Sequence, residues 1–180
     1  GIGLITEDRR GNGIFGCLSI KDNVGVSIYN KYLKAGFVLD HKKMNKVVDD
    51  SIKKLSIKTP SMNEHISNLS GGNQQKVCIA KALCTSPKFL FVSEPTRGID
   101  IGAKKLVLET LVRLNRELGM TVVIISSELQ ELKSVSDRIA IVSEGKLVDV
   151  LSPQASDADY GLAMSGIRPS EHLEKEGTNA

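Results

Sequence analysis

The 180-residue chain has no tryptophan, and aromatic residues make up 4% of it. A base-stacking surface is therefore not expected. The formal net charge is +3, too small to mark a binder of nucleic acid or anionic lipid. Its three cysteines, Cys17, Cys78 and Cys84, form no C-x-x-C pair. An odd count without such a pair argues against a disulfide framework or a zinc site. Buried thiols in a reducing compartment are expected instead. His41, His65 and His172 are scattered, and no metal-ligand spacing is found. No apolar run reaches the roughly 18 residues of a membrane span. The opening residues lack the pattern of a signal peptide. The sequence begins at Gly1 rather than methionine, as a processed product or a partial reading frame would. A last absence bears on chemistry, because no G-x-x-x-x-G-K-[ST] occurs. The only Gly-Lys pair is Gly145-Lys146, and position 140 is Ala140. Nothing here supplies the loop that cradles β and γ phosphates, or its lysine.

What is present reads as one globular domain with a sizeable core. Apolar residues make up 41% and charged residues 25%, which is ordinary for such a chain. GIGLIT at the start reads as a short buried strand. Met44, Val47, Val48 and Leu55 recur at helical spacing, and Pro60 is expected to stop that element. Asp49-Asp50 and Lys53-Lys54 suggest ion-pair support on its solvated face. NQQKVCIAKAL predicts a helix with Val77, Ala80, Leu83 and Cys84 on one face. Phe89 to Val92 reads as a strand. Residues 103 to 118 predict a helix with a stripe of Val107, Leu108, Leu111, Leu114 and Leu118, closed by Gly119. TVVIIS reads as a buried strand, followed by a short helix and two more strands around Glu144-Gly145-Lys146. Strands alternating with helices predict an α/β fold with a largely parallel sheet. The tail after Ser152 reads as polar and frayed. No internal repeat is seen.

The sharpest motif is LSGGNQQK, Leu69 to Lys76. Two glycines let backbone approach a ligand closely. A helix follows at once, so its free N–H groups and dipole favour an anion such as a phosphate. Ser70 adds a hydroxyl. Taken alone, the stretch is more simply a helix start with a flexible cap. Gly11-Asn-Gly-Ile-Phe-Gly16 fits the dinucleotide pattern G-x-G-x-x-G. A charged segment separates it from the preceding strand, which argues against that reading.

Together, LSGGNQQK, the strand FLFV running into SEPTRGID, and IISSELQEL resemble the ABC-transporter ATPases. The resemblance covers about residues 1 to 150. Leu69 to Gln74 is similar to the signature motif. Phe89 to Glu94 is similar to the Walker B strand, with Glu94 at the catalytic position. Arg97 to Asp100 is similar to the D-loop, and Ile124 to Leu132 to the switch region. The spellings NLSGGNQQK, EPTRGID and ISSEL resemble one branch, the tandem importers of ribose, galactose, xylose and similar sugars. GIGLITEDRR resembles the second ATPase domain of those proteins, some way past its P-loop.

The chain departs from the family pattern at several points. The P-loop is missing. Ser93 replaces the carboxylate expected beside magnesium, and a hydroxyl is a weaker partner for a hard dication. Glu7 falls where the family has the Q-loop glutamine. Ser127 falls at the switch histidine, and serine cannot take up and release a proton near neutral pH as histidine can. The signature motif is untouched. In the family, two ATPase domains pack head to tail, and each signature caps the γ-phosphate held by the other.

The resemblance implies an α/β, RecA-like P-loop NTPase core with a helical subdomain at about 15–85, lacking the P-loop segment. The partial ATPase domain would span 1–150, with a C-terminal tail over 151–180. Absence of the first strand and P-loop helix would leave apolar sheet surface uncovered. The implied function is the ATP-binding, ATP-hydrolysing C-terminal part of a sugar importer, with ATP and Mg2+ as cofactors. Glu94 would polarise water. Ser70, Gly71, Gly72 and Gln74 would face ATP bound elsewhere, Asp100 would couple the sites, and Glu7 and Ser127 would flank the chain's own site. The implied partners are membrane permease subunits gripped around residues 15 to 60, a second ATPase domain and, indirectly, a periplasmic sugar-binding protein. The implied location is the cytoplasmic face of the membrane. The alternative is a non-catalytic module that completes a partner's ATP site.

Overall fold

The computed structural model describes residues 1–34 and 37–169. In chain order the strands are β1 (Ile2–Ile5), β2 (Leu33–Lys34), β3 (Val38–Leu39), β4 (Phe89–Ser93), β5 (Thr121–Ile125), β6 (Ile139–Ser143) and β7 (Lys146–Leu151). The α-helices are α1 (Ile20–Gly25), α2 (His41–Lys54), α3 (Gly71–Leu83), α4 (Ile101–Leu118), α5 (Leu129–Val135) and α6 (Asp157–Met164). Compact packing divides the chain between Ser127 and Glu128. The sequence expectation had carried one domain through residue 150.

In the first unit, β1, β4 and β5 form a parallel sheet in the order β1-β4-β5. Ile5 pairs with Val92, and Val92 with Ile124. Parallel neighbours need crossover connections. Helix α4 makes one between β4 and β5, and the segment carrying α1, α2 and α3 makes the other. This segment is mainly helical but includes the small antiparallel pair β2-β3.

Side chains alternate along a strand, so one sheet face packs and the other looks away. Ile5, Leu90 and Val92 join the core with Val77, Ile79 and Ala80 of α3 and Val107, Leu111 and Leu114 of α4. On the other face Ile2 is 72% and Leu4 70% exposed, and Phe89, Val123 and Ile125 are exposed too. This is the uncovered apolar surface expected from the sequence. The strand GIGLIT, read as buried, is buried on one side only.

Helix α2 buries Met44 and Val48, and Leu55 at its C-cap is buried as well. It ends before Pro60 acts. Ser56 adopts a left-handed φ of 49°. The Ser56 and Ile57 N–H groups then bond back to the Lys53 and Ile52 carbonyls at 3.1 and 3.0 Å. That pattern satisfies orphan carbonyls at a helix end. Two cations help at the same end: Lys76 Nζ donates to the Ser56 carbonyl at 3.1 Å, and Arg113 Nη2 to the Lys54 carbonyl at 2.6 Å. Helix α4 is N-capped by Asp100 and closed by Gly119 at φ 63°. Leu118, expected in its apolar stripe, is exposed, while Thr110 is buried. The threonine tolerates burial because its hydroxyl donates to the Leu106 carbonyl at 2.7 Å.

The second unit corrects the expected frayed tail. β6 and β7 form a separate antiparallel hairpin. Helix α6 follows, with a capping box between Ser156 and Asp159. Tyr160 and Ala163 of α6 pack with Ile139 and Ile141 of β6. The Tyr160 hydroxyl donates to the Ser152 carbonyl at 2.9 Å. Its apolar residues form no single stripe, which hid the helix, and two buried residues, Tyr160 and Ala163, seat it.

Candidate functional site

Helix α3 starts at Gly71, directly after exposed Ser70. Ser70 is the N-cap, yet its side chain makes no bond to the helix backbone. The N-caps Ser19, Asp40, Asp100 and Ser156 all accept from their own helices. The first-turn N–H groups of α3 therefore lack a side-chain acceptor, which suits an anion. Ser70 Oγ instead accepts from Asn73 Nδ2 at 3.0 Å.

The two glycines have a reason the sequence did not show. A Cβ on Gly72 would stand 2.5 Å from Ala103 Cβ of α4. A Cβ on Gly71 would stand 3.0 Å from Ile99 Cγ2 and 3.3 Å from the Gly98 carbonyl. They permit close packing of α3 on the turn before α4 and on α4 itself. Gln74 also needs correction. It is buried, and its amide donates inward to the Ile66 and Leu69 carbonyls at 3.2 and 3.1 Å. Gln74 holds the segment before α3 and does not face outward; Asn73 is the residue beside Ser70.

A second cluster lies at the carboxyl end of β4. Glu94 has a left-handed φ of 45°, strained for a non-glycine residue. Its N–H donates to the Ile125 carbonyl at 2.7 Å, and its Oε1 accepts from the Ser127 N–H at 2.8 Å. The fold thus holds the carboxylate against the end of β5. Ser93 pairs with Ile125 in register and offers a neutral hydroxyl.

Between these clusters run the turns at 6–13 and 94–100. Glu7 pairs with Arg97 at 3.7 Å, and both side chains are mostly exposed. Asp100 Oδ1 accepts from the Ala103 N–H at 2.9 Å, capping α4. Arg9 is only 9% exposed. Its Nη1 donates to the Arg97 carbonyl at 3.5 Å, while its Nε has no partner. Burial pushes its pKa below the ordinary arginine value. The same cause, with Lys58 and Arg113 adding, lowers that of Lys76. The dinucleotide-like glycines Gly11 and Gly13 lie in a single π-helical turn, Arg9–Gly13, and open no α-helix.

Sequence reasoning missed Asn73, Arg9 and Lys76. Asn73 was legible as the third residue after an N-cap, a position whose side chain can reach back. Arg9 gave no signal, since a run of four charges, EDRR, reads as solvated.

The residues present fit the implied groups unequally. The α3 start fits phosphate oxygens. The end of β4 brings one carboxylate and a neutral serine, and among the described residues no three His, Cys, Asp or Glu side chains converge. That set does not make a magnesium site by itself.

The profile of the family described as ABC transporter matches residues 2–97. The ribose import ATP-binding protein RbsA of Clostridium tetani is 43% identical over 92% of the chain. The galactose/methyl galactoside import ATP-binding protein MglA of the same organism is 44% identical over 84%. The chain spans about a third of the length of these relatives, 33% and 30%. Among solved structures, a dimeric ATP-binding cassette in a post-hydrolysis state bound to ADP and Pi matches with a TM-score of 0.70 and 23% identity. That match covers 86% of this chain and 64% of the other. CbiO1 from Clostridium perfringens, part of the ABC transporter complex cbiONQ, matches with a TM-score of 0.70 and 24% identity, covering 91% and 61%. The architecture is therefore that of ABC ATPase cassettes. With more than half of its residues inside the family match, the chain belongs to the ABC transporter family.

Proposed function

We propose that this chain is the C-terminal ATPase part of a protein that energises import of a simple sugar. The observation that carries the reading is the exposed start of α3. Its N-cap hydroxyl and first-turn N–H groups are left available by the chain itself. In a head-to-tail pair of ATPase domains this start caps the γ-phosphate of ATP held by the other domain. The names of the relatives support the sugar class. Glu94, fixed by Ser127, is the residue that polarises water where the chain's own site is used. Glu7 lines that site through its pairing with Arg97, and Asp100 links the two sites from the turn before α4.

The permease docks on the helical segment. Support comes from exposed apolar side chains there: Phe15, Val26, Leu33, Phe37 and Val38. Among the described residues no helix is long and apolar enough to cross a membrane. The protein sits at the cytoplasmic face through that permease. A periplasmic sugar-binding protein delivers substrate from the other side, and Mg2+ accompanies ATP at the complete site.

The test is ATP hydrolysis and sugar uptake by the assembled transporter. Ser70→Arg abolishes transport-linked hydrolysis, while Ser93→Ala changes it little. Equal loss from both changes would sink the reading. The second reading, a non-catalytic module that completes a partner's site, is favoured by the lack of G-x-x-x-x-G-K-[ST]. Nucleotide binding by the purified chain separates the two: tight Mg-dependent binding excludes the module reading.

A further inference from the structure

The turn that opens α3 contains a side chain with both of its polar ends engaged. Asn73 Oδ1 accepts from the Lys58 N–H at 2.9 Å, and Asn73 Nδ2 donates to Ser70 Oγ at 3.0 Å. A backbone N–H can only donate, so the oxygen of the amide must face Lys58. The NH2 must then face Ser70. A hydroxyl has one proton, and here its oxygen already accepts from an amide. The serine proton is left to point away from Asn73, and Ser70 is exposed. An ordinary N-cap serine accepts from its own helix backbone. Here the Asn73 side-chain NH2, not a backbone N–H, donates to the serine oxygen.

A second feature favours an anion on the same turn independently. Arg9 is 9% exposed as a residue, its Nε has no hydrogen-bond partner, and its guanidinium reaches only the Arg97 carbonyl, with no carboxylate paired to it among the described residues. Its Nη2 lies 3.3 Å from where a Gly71 Cβ would be. Buried charges are normally paired. This one leaves positive potential at the α3 start.

We propose that Asn73 is a positioning residue that makes Ser70 a dedicated hydrogen-bond donor. The acceptors are the terminal phosphoryl oxygens of a nucleoside triphosphate presented to the start of α3. The backbone at Lys58 is the anchor that fixes the amide. The inference rests on the proposed function, in which the α3 start faces a phosphate.

The test is a double-mutant cycle on MgATP hydrolysis by the assembled transporter. Ser70→Ala removes the hydroxyl and keeps the helix N–H groups, so a residual rate remains for single-turnover measurement. Asn73→Ala is expected to lower the rate about three- to tenfold with Ser70 present, the scale of one net hydrogen bond. In the Ser70→Ala background it should change the rate by less than about twofold. A residue that only anchored the Lys58 backbone would cost the same factor in both backgrounds, and that result overturns the proposal. Asn73→Asp gives a second arm. Its carboxylate still accepts from the Lys58 N–H but can only accept from Ser70, turning the serine proton inward. Its loss should exceed that of Asn73→Ala and shrink when Ser70 is removed. Full activity in Asn73→Asp also overturns the proposal. If Ser70→Ala itself has no effect, the phosphate reading of α3 fails first, and the two failures are told apart.

Discussion

Gly72→Ala tests the packing reason for the signature glycines most directly. The new methyl would meet Ala103 Cβ at 2.5 Å. Carbon atoms rest at about 3.5–4.0 Å, so α3 and α4 must separate by about 1 Å. Neither methyl can rotate away, since each is fixed to its helix backbone. Overpacking of this kind costs about 1–3 kcal/mol, and the rigid contact puts this case near the top of that range. Alanine regains about 1 kcal/mol of helix propensity over glycine. The net loss is then about 2 kcal/mol, or roughly 4–8 °C in Tm. Ala103→Gly alone loses only helix propensity, about 1 kcal/mol. The double change Gly72→Ala with Ala103→Gly moves the methyl across the interface and restores near-wild-type stability. Denaturant unfolding of all four proteins measures the coupling, expected at about 3 kcal/mol. Additive losses, or stabilisation by Gly72→Ala alone, would refute the reasoning.

Glu94→Gly and Glu94→Ala both remove the carboxylate and should both abolish hydrolysis at that site. Only glycine relieves the φ of 45°, so Glu94→Gly should be more stable than Glu94→Ala by about 1 kcal/mol in denaturant titrations. Burial pushes the Cys78 thiol up to about 11 from 9.0. The folded state keeps a proton that the unfolded chain loses, so this contribution is full below pH 9.0 and falls away as pH rises towards about 11. Cys78→Ala should remove that part of the alkaline decline, seen by comparing Tm at pH 8 and pH 10. In thiol labelling at pH 8, exposed Cys17 should react first and buried Cys78 last. Tyr160→Ala should cost about 3 kcal/mol and open residues 152–164 to limited proteolysis; unchanged resistance would contradict the packing of α6 on β6.

Much of the first unit was legible because burial there follows local period. The stripe Val107, Leu111, Leu114 predicted α4, and the apolar runs FLFV and TVVII predicted β4 and β5. Their parallel sense followed from the helices between them, and only their pairing order required the tertiary structure. The end of α2 was misplaced because a left-handed Ser56 carries no strong sequence mark, whereas Pro60 does. Helix α6 was missed because its apolar residues, Ala158, Tyr160, Leu162, Ala163 and Met164, form no single stripe at helical spacing. In the candidate site, Ser70 and Glu94 were singled out from motif spelling. Gln74 was misassigned because a helix turns 100° per residue, so the polar residue next to Asn73 points into the core.

The amino-acid sequence alone determined the α/β class, the motif set and the absence of a phosphate-cradling loop within these residues. These depend on residue type and spacing, which are local. Only the tertiary structure decided why Gly71 and Gly72 are glycines, where Arg9 and Lys76 are buried, and which way the Asn73 amide faces. Each of those depends on atoms brought together from segments far apart in the chain: Ala103 on Gly72, Arg97 on Arg9, Ser56 on Lys76 and Lys58 on Asn73.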